Sequence, residues 1–182
     1  GWWLDREAWH KQGWILRQAG RSPTDFVDQA GMGPSLLNMG LTGALGTAYV
    51  LAVGSDLNGP TLGAIFTIVG FSAFGKHPRN IVPIMLGVFI ASMLKDWSAD
   101  DPSAVLAALF GTTLAPIAGR FGWRWGIVAG FVHSSVAQTV GQLHGGLVLY
   151  NNGFAAGLVA AILVPVIIAL QPVAKPGPGA PR

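Results

Sequence analysis

The stretch PSLLNMGLTGALGTAYVLAV, residues 34–53, runs for twenty positions without a charge. At about 1.5 Å per residue, a helix of that length spans the ~30 Å hydrocarbon core of a bilayer. Five more apolar stretches follow, at 57–74, 81–94, 104–118, 126–140 and 153–170. The chain is 51% hydrophobic and 10% charged, whereas soluble domains carry about 25% charged residues. A soluble helical domain would need polar helix faces, and these stretches have almost none. The expected fold is therefore all-α, a polytopic membrane helix bundle with six apolar segments.

The basic residues set an orientation. The leader holds Arg6, Lys11, Arg17 and Arg21; the second gap holds Lys76 and Arg79; the fourth holds Arg120 and Arg124; the tail holds Lys175 and Arg182. Among the odd gaps only the third carries a basic residue, Lys95. Loops rich in Lys and Arg stay in the cytoplasm, so both termini are expected there, N-in and C-in. The net charge of +3 then reads as topology and contact with membrane lipid rather than nucleic-acid binding.

Two segments are short. Residues 81–94 and 104–118 reach only about 21–23 Å. They are either short spans in a thinned bilayer or the arms of a re-entrant hairpin, and both options leave the ends on one side.

Three regions follow from composition. Residues 1–33 read as an amphipathic interfacial leader, with Trp2, Trp3, Trp9 and Trp14 among basic residues. An anchor helix packed on the bundle would read the same. Residues 34–170 form the membrane domain, and residues 171–182 a Pro/Gly-rich flexible tail. Within the leader, Ser22-Pro23-Thr24-Asp25 fits a helix start, with Ser22 as cap and Asp25 in the first turn; that helix should end at Gly31. The chain opens on Gly1 and carries no signal peptide pattern, so it is expected to be trimmed or part of something longer.

Polar residues near the apolar segments are the candidates for function. Asn58 and Thr61 sit in a helix-breaking Asn-Gly-Pro-Thr run, which lines a cavity in some transporters and is an ordinary turn elsewhere. Lys76, His77 and Arg79 form a gate or an anchor at the cytoplasmic exit of the second segment. In the fifth segment His133 precedes Ser134, Gln138 and Gln142, which recur every four residues as a stripe on one helix face. Polar side chains in a membrane helix avoid lipid and face a bundle interior or a wet cavity. Asn151, with Asn152, caps the last segment and lines its outer opening. Close helix contacts are expected at Gly43-x-x-Gly46 and Gly126-x-x-x-Gly130.

Several classes of chemistry lack residues. There is no Cys, which removes disulfides and thiolate chemistry. His133 and His144 would be about 16 Å apart on one helix, too far to share a metal ion. His133 and Ser134, as sequence neighbours, do not face each other for catalysis. No acid lies within a span, which disfavours proton or sodium coupling. Neither an enzyme nor a bound cofactor or metal is expected. The leading expectation is a channel or facilitator for a small polar solute. The second is a scaffold or accessory subunit packing on other membrane chains, as a homo-oligomer or with partner subunits.

Five ordered motifs carry a resemblance: GPSLLNMGL (33–41), LNGPTLG (57–63), GFSAFGKHPRN (70–80), TLAPIAG (113–119) and LYNNGF (149–154). Over residues 23–170 the chain resembles a multi-pass membrane family, domain-of-unknown-function family one-five-seven-six. The resemblance implies a bacterial inner-membrane protein of unassigned function, with this chain matching the C-terminal half of longer members.

Overall fold

A computed structural model of the protein describes residues 8–21, 24–145, 147 and 150–171. Trp2, Trp3, Arg6, Ser22, Pro23 and the tail beyond Gln171 lie outside the described residues. The described residues form helices joined by turns, without strands. Two short leader helices, α1 (Ala8–Ile15) and α2 (Phe26–Ala30), precede α3 (Met32–Ala52), α4 (Gly59–Phe71) and α5 (Pro78–Leu94). The next crossing combines α6 (Pro102–Gly111), a 3₁₀ turn (Thr112–Leu114) and α7 (Ala115–Phe121). Then come α8 (Trp123–Thr139), the single turn α9 (Gly141–His144) and α10 (Asn151–Leu170).

Local chemistry explains the starts. Asp25 is itself the cap of α2, not a first-turn residue as the sequence suggested. Its carboxylate accepts from the Val27 and Asp28 N–H groups at 2.8 and 3.1 Å. Asn58 caps α4, and Pro60, Pro78 and Pro102 occupy first turns, where the missing N–H has no partner to lose. Gly122 adopts φ 97° between α7 and α8, a conformation that side chains resist, and turns the chain sharply there.

Of the two segments expected to be short, 81–94 is and 104–118 is not. The fourth segment runs as a nearly continuous helix over Pro102–Phe121, 20 residues long. The apolar pattern starts two residues after Pro102, which is why the sequence made it short. α5, with 17 residues, is joined as a shorter apolar helix by α4, with 13. Met32–Ala52, Pro102–Phe121 and Asn151–Leu170 are each long and apolar enough to cross a membrane. The outer faces are apolar too: Phe66 is 70% exposed, Leu94 71% and Ile162 68%. Faces of that kind suggest membrane association.

The helices alternate between two ends of the bundle. α3 and α4 run antiparallel, with Gly46 against Ile65 and Ile68, and Val50 clustered with Ala64. α5 and α8 run parallel, with Pro83 beside Gly126 and Lys95 bonded to Ser135. The leader turn, residues 75–80 and residues 118–123 all meet at one end, the leader end. The single basic residue of the odd gaps, Lys95, binds back onto α8 at the opposite end, its ammonium 4.7 Å from the Phe131 ring centroid.

The α5–α8 contact is the closest in the bundle. A Cβ on Gly130 would overlap the Ile84 carbonyl oxygen, and one on Gly87 the Ile127 carbonyl oxygen. Both expected glycine motifs thus sit at helix crossings, since Gly43 faces Val69 and Gly126 faces Pro83 and Ala118. Gly130→Ala is expected to destabilise the fold by at least about 2 kcal/mol. Gly63→Ala, whose added methyl meets nothing within 4 Å, should stay within about 1 kcal/mol of the parent. Denaturant midpoints of the two variants in detergent check the contrast.

Candidate functional site

Because α4 stops at Phe71, residues 72–77 turn below the tip of α3, inside the bundle rather than above it. The apolar pattern continued to Phe74, so the sequence placed this turn higher. A recessed turn needs hydrogen-bond partners for its backbone, since apolar surroundings supply none. Asn38, fully buried on α3, supplies two: its Nδ2 donates to the Ser72 and Lys76 carbonyls, each at 2.8 Å. Gln12 of α1 then donates to Asn38 Oδ1 at 3.1 Å. The Phe26 N–H of the leader donates to the Ala73 carbonyl at 2.8 Å. Asn80 accepts from the His77 N–H and donates to the Gly75 carbonyl, both at 2.9 Å. Thr42 donates to the Ser72 hydroxyl at 2.7 Å.

The leader closes over this turn. Gly20 lies backbone to backbone on Gly75, and Gly119 against Ala19, so neither contact has room for a side chain. His77 Nε2 bonds the Gln18 carbonyl at 2.9 Å. Burial holds the His77 ring below the usual imidazole value; the Gln18 carbonyl opposes that shift and the Arg79 charge adds to it. The Lys76 side chain does not extend into a surface loop. It is buried instead, 7% exposed, and points inward to donate to Thr112 Oγ1 at 2.8 Å. The Phe71 ring lies 5.4 Å from its ammonium. Burial without a carboxylate partner lowers the Lys76 amine to about 8.

Thr112, at the 3₁₀ turn inside the fourth segment, leads to the next polar group. The fully buried His133 ring packs on Gly111, where an added Cβ would come within 2.7 Å of it. The Asn152 side chain and the Ala107 carbonyl face this ring without meeting hydrogen-bond geometry. Both His133 ring nitrogens, Ser134 Oγ, Gln138 Nε2 and Asn152 Oδ1 are buried and make no well-formed hydrogen bond among the described residues. Asn151 closes the file at the opposite end. Its Nδ2 donates to the Ala137 carbonyl, and its Oδ1 meets His144 Nε2, both at 2.8 Å.

Other expected site residues fall elsewhere. Asn58 and Thr61 bond each other in a capping box at the start of α4, which packs on α3 and α6. They satisfy their own helix end. The stripe from Ser134 to Gln142 is interrupted, because α8 ends at Thr139 and α9 starts anew; Gln142 is exposed. Asn151 is the first residue of α10 rather than its cap, a position held by Tyr150. Arg79 is exposed at the leader end. Sequence reasoning missed Asn38, Ser72 and Thr112. The signal available was Asn38 itself, an amide in the middle of an apolar span.

A family model described as a protein of unknown function (DUF1576) matches residues 4–169. No curated protein and no solved structure matches the chain.

Two outcomes follow from the recessed turn. Asn38→Leu should destabilise the fold by about 2–4 kcal/mol, because it strands two buried carbonyls; the unfolding midpoint in detergent reads this. Lys76 gives a pH signature. Between about 8 and its ordinary 10.5, the unfolded chain holds a proton that the folded chain has shed. Stability should therefore rise with pH across that window. Lys76→Met should flatten the rise, as seen by comparing thermal midpoints of the two proteins from neutral pH upward.

Proposed function

The chain belongs to the DUF1576 family of proteins of unknown function, and from that premise we propose an integral membrane channel or facilitator for a small polar solute. The observation that carries this reading is the succession of buried polar groups through the bundle. It comprises Asn151, Asn152, Gln138, Ser134 and His133, with His133 packed on Gly111 next to Thr112. Buried donors and acceptors without partners are rare in folded proteins, and a passing solute or water file gives them partners. Uncharged groups replace hydration without holding the solute too tightly. Asn58 and Thr61, engaged with each other, stand off this path. Exposed Gln142 stands at its outer mouth.

In this reading residues 34–170 cross the membrane six times, with both termini in the cytoplasm of a bacterium and the protein in its inner membrane. The meeting of the basic leader turn, 75–80 and 118–123 at one end supports that topology. Residues 1–33 form the interfacial leader and 171–182 the flexible tail. The chain corresponds to the C-terminal half of longer family members and takes up neither cofactor nor metal.

One observation favours the alternative, a non-catalytic scaffold or accessory subunit. Gly59, Gly63 and Gly70 of α4 face open space. Small residues on an outer helix face allow another membrane chain to approach closely, whether a second copy or a partner subunit.

Liposome swelling with a panel of neutral solutes decides between the two. The channel reading expects uptake above that of empty vesicles. Gln138→Leu should slow it by about tenfold, the cost of one unmet hydrogen bond along the path, with the oligomer intact on size exclusion. Swelling no faster than empty vesicles, for correctly inserted protein, removes the channel.

A further inference from the structure

On the flank of the bundle a groove of about 220 Å³ lies between α7 and α10, toward the leader end. None of the polar groups of the proposed solute path lines it. Its walls are largely apolar: Ile117 and Phe121 on α7, Ala160 and Val164 on α10. Two cations complete the lining, Arg21 from the leader and Arg120 from α7, and no Asp or Glu does.

The backbone brings the two arginines to one place. Gly119 lies so close to Ala19 that an added Cβ would overlap the Ala19 carbonyl. Arg120 is one residue along the chain from that contact, and Arg21 is two. The Arg120 guanidinium is held at the wall itself, with its Cζ 4.8 Å from the centroid of the Phe121 ring. No hydrogen bond or ion pair among the described residues engages either guanidinium. The groove thus joins an apolar floor to a rim of positive charge that the described residues leave uncompensated.

We propose that this groove binds one anionic phospholipid, with its headgroup phosphate at Arg21 and Arg120 and one acyl chain along Ile117, Ala160 and Val164. Charge complementarity selects this occupant. Guanidinium groups suit phosphate oxygens in geometry and charge, and basic residues at a membrane surface attract anionic lipid. A zwitterionic headgroup would bring an ammonium to a rim that offers it no carboxylate. The apolar walls suit a chain that already lies in the bilayer, and leave nothing for the polar parts of a free phosphate ester to meet. The site needs α7 and α10 to lie in lipid but does not need the channel, so it would survive failure of that reading.

The test uses the full chain in maltoside detergent and reads lipid binding and oligomeric state together by native mass spectrometry. The probes are dioleoyl phosphatidylglycerol, dioleoyl phosphatidylcholine and inorganic phosphate. The anionic lipid should bind at least about tenfold tighter than the zwitterionic one. R21Q/R120Q should remove that preference, with its unfolding midpoint unchanged because both arginines are exposed. R17Q/R124Q takes two exposed charges from outside the groove and should keep the affinity within about twofold. Ala160→Phe, which fills the floor and spares both arginines, should weaken the anionic lipid about fivefold. Four results overturn the proposal. They are equal affinity for the two lipids, an equal loss in R17Q/R124Q and R21Q/R120Q, inorganic phosphate binding as tightly as the lipid, and an affinity that Ala160→Phe leaves unchanged. A protein dimer that Ala160→Phe breaks and lipid does not displace gives the groove to a second copy, and overturns it too.

Discussion

Every arrangement at the leader end follows from one requirement: the backbone of residues 72–77 must find hydrogen-bond partners inside an apolar bundle. A turn at that depth has no water to fall back on, and each unmet carbonyl costs of the order of 1–3 kcal/mol. Asn38 meets two of them with one amide group. Its own oxygen is met by Gln12, which fixes α1 against α3. The Phe26 N–H and the Gln18 carbonyl bring the rest of the leader down onto the same turn. The leader is thus a structural roof, and the inward reach of Lys76 is a consequence of the turn it occupies.

The second organising contact joins helices that are not consecutive. α5 packs along α8 through glycines on both sides, so backbone meets backbone. In lipid, where apolar burial gives no net drive between helices, such close approach is a main source of association. It also places His133, on α8, toward the 3₁₀ turn that Lys76 touches from the other direction. The polar file and the tightest helix crossing are two sides of the same packing.

How much of this could be read in the residues depends on what each feature needs. The alternation of basic gaps is a one-dimensional signal, and the meeting of residues around Gly20, Gly75 and Gly119 at one end agrees with it. The glycine motifs at 43–46 and 126–130 needed only spacing, and they fall at crossings as expected. Helix ends were harder. Ser72, Ala73 and Phe74 continue the apolar pattern, so nothing local announces that α4 stops at Phe71 to leave a recess. The Ser134–Gln142 stripe assumed an unbroken helix, yet the hydrogen-bond ladder is interrupted at Val140, where α8 gives way to α9. The rule that placed Lys76 as a gate or an anchor speaks of average loops; its burial depends on Asn38 and Thr112, which lie 38 and 36 residues away.

The pairing of α5 with α8 also bears on how the protein is made. α5 is synthesised well before α8, so the bare backbone around Gly87 emerges with its mating surface still untranslated. During that interval α5, which carries Pro83, lacks the helix it packs against most closely. The tightest interface of the bundle can therefore form only once Trp123–Thr139 has been made.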